Sequence, residues 1–169
     1  MPKRAVMIIA FQGFRDEEYA EPKKVLEKAG IEITTASSQV GTAKGKYGLP
    51  AKVDVALKDI KIADYDAVIF AGGPGIYAHF DDPLFQKAAQ DAVAQGKVLA
   101  AICASVSIPA NAGLLKGIKA TCFPGEASNI KNKGARYSAS GIEVEGKIIT
   151  ADGPAHAKQF GEEIVKALK

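Results

Sequence analysis

Short, unbroken apolar runs recur along this chain, with helical stretches between them. Ala5 to Phe11 reads AVMIIAF, Ala67 to Ala71 reads AVIFA, and Val98 to Ile102 reads VLAAI. An alternating strand can leave one face in water, but a continuous apolar one needs cover on both faces. Strands separated by helices of about 10 to 15 residues imply βαβ units and a mainly parallel sheet. Asp16 to Ala29 reads as a helix stopped at Gly30, with Pro22 expected to distort its first turns. Asp82 reads as an N-cap with Pro83 at the first helical position. That helix, running to Gln95, places Phe85, Ala88, Ala89, Ala92 and Val93 on one stripe. Another helix is expected from Cys103 to Ala112, tightened or broken at Pro109. A last one, Pro154 to Leu168, would bury Phe160, Ile164, Val165 and Leu168.

The remaining strands are Ile31 to Ala36, Lys119 to Phe123, and a hairpin from Ile142 to Ala151 turning at Glu145-Gly146. Gly41 to Leu57 reads as short strands and turns without helix. No repeat or linker interrupts the pattern. The expectation is an α/β fold in one domain over residues 1–169, with helices on both faces of the sheet.

Charge and composition narrow the function. The formal charge of +3 is spread over lysine pairs beside glycines, with no basic run interleaved with aromatics and no tryptophan, so nucleic acid is not an expected partner. The first apolar run is too short to cross a membrane and no signal-peptide cleavage pattern follows it, so a cytoplasmic protein without membrane partners is expected. In that compartment Cys103 and Cys122 are read as thiols. Two histidines, His79 and His156, without CxxC or HxxxH spacing, give no metal site, and the chemistry calls for no cofactor.

In open parallel sheets the site lies beyond the carboxyl ends of the strands. Those ends carry the Asp16-Glu17-Glu18 helix start, Gly72-Gly73, Cys103-Ala104, Phe123 and Asp152-Gly153-Pro154. Cys103 stands between a strand and a helix, the geometry of a nucleophile elbow, and the helix start is expected to favour thiolate. A buried packing cysteine is the competing reading. Gly72-Gly73 is either a plain turn or a source of N–H donors to an oxyanion, with Ala104 supplying the second donor. One carboxyl of Glu17 or Glu18, if aimed at the sulfur, would stay protonated and donate to it. Gly73-x-Gly75-x-x-Ala78 matches a loose dinucleotide-binding string, but Asp81-Asp82-Pro83 breaks a helix there and no P-loop is present. No histidine lies beside Cys103; His156, past another strand end, is a possible base but reads more simply as exposed.

Taken together, KRAVMIIA, EEYAEP, KAGIEITTAS, DYDAVIFAGG, AAICAS, AGLLKGIKATCFPG and GKIITADGPA resemble the ThiJ/PfpI superfamily, and within it the DJ-one/YajL branch, over nearly the whole chain. The resemblance implies a flavodoxin-like three-layer sandwich, usually a homodimer. It carries the nucleophile onto Cys103, the partner carboxyl onto Glu18, and the oxyanion donors onto Gly73 and Ala104. It also implies an enzyme acting on a small reactive carbonyl: a glyoxalase without glutathione, or a deglycase, in stress protection. A redox-responsive or chaperone-like protein with an oxidisable Cys103 is the alternative, and an amide hydrolase using His156 a third. The superfamily's protease branch has histidine directly after the cysteine, where this chain has Ala104. Departures fall at Ala104-Ser105-Val106, at Cys122-Phe123 where a histidine occurs in the branch, and at Asp152, where a basic residue is usual.

Overall fold

The computed structural model describes all 169 residues. In chain order the elements are β1 Arg4–Ile8, β2 Gln12–Phe14, α1 Asp16–Lys28, β3 Glu32–Ser37, β4 Gly41–Gly45, β5 Pro50–Val53, β6 Val55–Ala56 and β7 Ala67–Phe70. There follow α2 Pro83–Ala94, β8 Val98–Ile102, α3 Ser107–Asn111, β9 Lys119–Ala120, α4 Ala127–Asn132, β10 Arg136–Tyr137, β11 Ile142–Glu145, β12 Ile148–Ala151 and α5 Ala157–Ala167. Seven strands form the main sheet in the order β11-β12-β8-β7-β1-β3-β6, parallel except where β11 pairs antiparallel with β12. After β1 the chain turns to β3 and β6; from β7 it builds the other flank. The reversal lies between β1 and β7, where ligand crevices of doubly wound sheets open.

The continuous apolar runs are buried on both faces. Along β1, Val6 and Ile8 pack with Phe70, Phe85 and Ile108 on one side of the sheet. Ala5 and Met7 pack with Leu26, Phe160 and Ile164 on the other. Helices α1 and α5 cover this second face in mutual contact, while α2 and α3 cover the first. Gly161 brings α5 close to α1: a Cβ there would stand 3.0 Å from Pro22 Cα. The result is the expected α/β three-layer sandwich.

Several local expectations change. β1 ends at Ile8, and residues 12–14 leave it to join β4 and β5 in a separate three-stranded sheet. Pro22 does not break α1, which runs unbroken to Lys28. Asp82 caps α2 as expected, accepting from Leu84 N–H at 3.0 Å, but Val93 is exposed. The segment after Cys103 is a 3-10 turn, Cys103–Val106, followed by a five-residue α3. Pro109 falls in the first turn of α3, where its missing N–H costs nothing. The strand expected over Lys119–Phe123 shrinks to two residues and pairs with β10 outside the main sheet. The far edge of β12 is already taken by β11, so Thr121 N–H goes to Thr150 Oγ1 at 3.0 Å. The last helix begins as a 3-10 turn at Pro154, and Val165 is half-buried.

Candidate active site

Three adjacent strand ends build the site. β8 delivers Cys103, β7 delivers Gly72-Gly73, and β1 leads through β2 into the start of α1. Cys103 has φ +63°, the single positive value at a non-glycine residue in the chain. A side chain in this conformation carries strain of about 1–3 kcal/mol and persists only where its surroundings over-determine it. Here Ser105 does so. Its buried hydroxyl accepts from Ile102 N–H at 3.1 Å and lies within donating reach of Ile102 C=O (2.7 Å) and Phe70 C=O (3.0 Å). It therefore ties the ends of β7 and β8 together beneath the cysteine. The sequence names Ser105 only as a departure from the family pattern, and this role is not read from it. A hydroxyl two residues after the elbow was the available sign. Phe123 N–H secures the joint from above by donating to Cys103 C=O at 3.2 Å.

Glu18, in the first turns of α1, is fully buried beside Cys103. Gly72 N–H donates to its Oε1 at 3.0 Å, and Oε2 is buried without a completed hydrogen bond. This corrects the reading of Gly72 as an oxyanion donor, because its N–H is spent on Glu18. Gly72 must nonetheless be glycine. A Cβ there would stand 2.9 Å from both Cys103 Cβ and Ile102 C=O, and against Glu18 Oε1. Gly73, at φ +117°, has an N–H with no protein acceptor. Glu17 faces elsewhere and pairs with Arg15 at 2.9 Å, so of the two acids only Glu18 meets the thiol.

Burial holds the Glu18 carboxyl up at about 7, against the Cys103 side chain and the Gly72 N–H, which lower it. The direction is the one expected. The thiol is different. Burial first, then the neighbouring Glu18 charge, pushes Cys103 up, while the Ala104 N–H and Arg15 pull the other way. The expected thiolate-favouring field of the helix start is thus outweighed, since a one-turn 3-10 start is weak against desolvation. The acid and thiol titrate as a pair that holds one proton between them above neutrality.

Around the pair lies a cavity of about 200 Å³, with Cys103, Glu18, Gly73 and Ala104 at its floor. Arg15, Lys46, Tyr77 and Phe123 form the walls, and neither basic residue was identified from the sequence. Lys46 arrives from the β4–β5 turn, more than 25 residues from either catalytic candidate, so local pattern gave no sign of it. A larger groove of about 410 Å³ lies between α1 and β3–β5. It holds no thiol, and its polar groups are satisfied locally: Tyr19 with Thr35 at 2.6 Å, Lys23 with Glu27 at 3.1 Å.

The structure does not bring His156 or Cys122 into the cavity. His156 Nδ1 is 2.7 Å from Asp152 Oδ1 and its ring lies against Gly141. Cys122 is fully buried among the apolar residues of the first face. Phe123 does line the cavity.

Residues 3–167 match the DJ-1/PfpI family. Among solved structures, a ThiJ/PfpI domain protein from Brachyspira murdochii superposes with a TM-score of 0.97 at 33% identity, covering 99% of this chain and 98% of that one. Deglycase TK1284 of Thermococcus kodakarensis is 30% identical over 97% of this chain and 99% of its own. The glutathione-independent glyoxalase DJR-1.2 of Caenorhabditis elegans is 26% identical over 99% of this chain and 89% of its own. With its sheet order, its strained cysteine and a match running almost end to end, the chain belongs to the DJ-1/PfpI family.

Proposed function

We propose that this protein is a cysteine-dependent enzyme that converts small 2-oxoaldehydes to 2-hydroxy acids without glutathione. The observation that carries the reading is a strained thiol touching a buried carboxyl, with an unused backbone N–H beside them, in a cavity sized for a few heavy atoms. Relatives named deglycase and glyoxalase support the substrate class.

The chemistry follows from where the proton sits. With methylglyoxal, the Cys103 sulfur bonds to the aldehyde carbon while its proton passes to the Glu18 carboxylate. Glu18 is therefore a base at this step, not the donor to a resting thiolate that the sequence suggested. The carbonyl oxygen, accepting from the Gly73 and Ala104 N–H groups, takes that proton on from Glu18, which leaves a hemithioacetal and restores the Glu18 carboxylate. Glu18 then removes the C1 hydrogen as a proton and returns it to C2, while the hydroxyl proton on the C1 oxygen passes to the C2 oxygen through the enediol. This turns the adduct into a thioester of lactate. Water cleaves the thioester, releasing lactate and restoring the thiol, so the sum is substrate plus one water. Buried in a site that disfavours its charge, Glu18 is matched to both giving and taking a proton near pH 7.

The test is lactate formation from methylglyoxal. Cys103→Ala should lower kcat/KM on the order of a thousandfold or more. Equal rates for the two proteins would remove the proposal.

A further inference from the structure

We propose that Lys46 and Arg15 form a carboxylate subsite at the cavity mouth, so that the preferred 2-oxoaldehydes carry a carboxylate tail. This rests on the reaction proposed above and names its substrate class.

The backbone beneath each cation is held in place. Arg15 N–H donates to Gly72 C=O at 2.8 Å, and Lys46 N–H donates to Phe14 C=O at 2.8 Å. Asp16 then clamps the β4–β5 turn to the start of α1, accepting from Tyr47 N–H and Leu49 N–H at 3.0 Å each. Gly45 makes room for that clamp, since a Cβ there would meet Asp16 Cγ at 2.7 Å. The Tyr47 ring carries both cations, with the Arg15 guanidinium 5.2 Å and Lys46 Nζ 5.3 Å from its centroid. Two elements far apart in sequence are thus fastened together so that their positive groups share one wall. Tyr77 and Phe123 line the same cavity.

The charge count decides the ligand. Arg15 is already paired with Glu17 at 2.9 Å, while Lys46 makes no ion pair. The one acid lining the cavity is Glu18, at its floor, accepting from Gly72 N–H and lying beside Cys103. The wall therefore offers one uncompensated positive charge, which suits a monoanionic carboxylate better than a phosphate dianion. A substrate whose C1 is bonded to sulfur and whose carbonyl oxygen faces Gly73 and Ala104 extends its tail toward the mouth.

The probe is 4,5-dioxopentanoate, a 2-oxoaldehyde with a terminal carboxylate, compared with neutral methylglyoxal. Wild type should favour the anion in kcat/KM by about tenfold. Lys46→Met should abolish most of that preference, Lys46→Arg should retain it, and salt should erode it. A second readout needs no turnover. Iodoacetate and iodoacetamide differ mainly in charge, and the ratio of their alkylation rates at Cys103 should drop about tenfold in Lys46→Met. Methylglyoxal turnover with both ratios unmoved by Lys46→Met and by the Arg15→Gln/Lys46→Met double variant overturns the subsite. Absent turnover of either aldehyde with a Lys46-dependent iodoacetate preference would instead sink the proposed reaction and leave the carboxylate subsite standing.

Discussion

Cys103 and Cys122 are the same residue in the same fold, each following a strand, and burial pushes both thiols up, Cys122 to about 12. Neither owes any special character to its side chain. What separates them is backbone and company. Cys103 sits at φ +63° on an elbow fastened by Ser105, with Glu18 against it and a cavity above. Cys122 is sealed among apolar side chains, with no carboxyl in hydrogen-bond contact and no opening. Reactivity here is a property of the joint between β8 and the following turn. A thiol with a raised pKa can still serve there, because its base is pre-positioned and its proton has somewhere to go.

The largest difference should appear in alkylation of the folded protein. Iodoacetamide at neutral pH, followed by peptide mass spectrometry, should modify Cys103 on the order of a hundredfold faster than Cys122. Labelling of Cys122 requires local opening, whereas the cavity already exposes Cys103. Comparable rates would mean that the elbow confers no access or activation, and the contrast would collapse.

Glu18→Gln sharpens the comparison by making the company of Cys103 resemble that of Cys122. The Gly72 N–H keeps an acceptor in the amide oxygen, so the fold should survive. The stability of the two proteins should then diverge with pH. The folded-state pKa of Glu18 is about 7, raised above its ordinary 4.5. Between those values the native state holds a proton that the unfolded chain releases, so wild-type stability falls as pH rises through this window. Relative to Glu18→Gln the loss should reach about 3 kcal/mol above neutrality. In activity, wild-type kcat/KM should rise through pH 7 as the carboxylate forms, and that limb should vanish in the variant. Parallel denaturation midpoints from pH 4.5 to 8 would show that Glu18 is not the buried acid described here.

How legible was this in the sequence? The sandwich was, because AVMIIAF, AVIFA and VLAAI leave a strand no solvent face, and the parallel-sheet rule then places the site. Cys103 and Gly73 were legible for the same reason: Cys103 directly follows β8, and Gly73 stands three residues past the end of β7. Choosing Glu18 over Glu17 required the family pattern, since only packing decides which of two adjacent acids turns inward. Lys46 and the use of Gly72 N–H were invisible. They depend on the Asp16 clamp and on the Glu18 rotamer, contacts between segments dozens of residues apart. Thr121 to Phe123 misled because apolar content indicates burial, while strand pairing also needs a free edge. The sign of the Cys103 shift was misjudged because a helix start is readable from sequence and desolvation is not.

The smallest effect belongs to the other cysteine. Cys122→Ser exchanges a buried sulfur for a hydroxyl that has no ready partner, beside Thr121, whose own Oγ1 is already buried and unpaired. The expected cost is about 1–3 kcal/mol of stability, from burying one more unsatisfied polar group. Cys122→Ala, lacking the hydroxyl, should cost less, although it opens a small void. Neither should change methylglyoxal turnover by more than about twofold, because Cys122 touches neither the cavity nor the proton route. Chemical denaturation and initial rates on the two variants check both halves. A rate loss near that of Cys103→Ala would make Cys122 part of the chemistry, and the difference between the two thiols would then lie in their order of action.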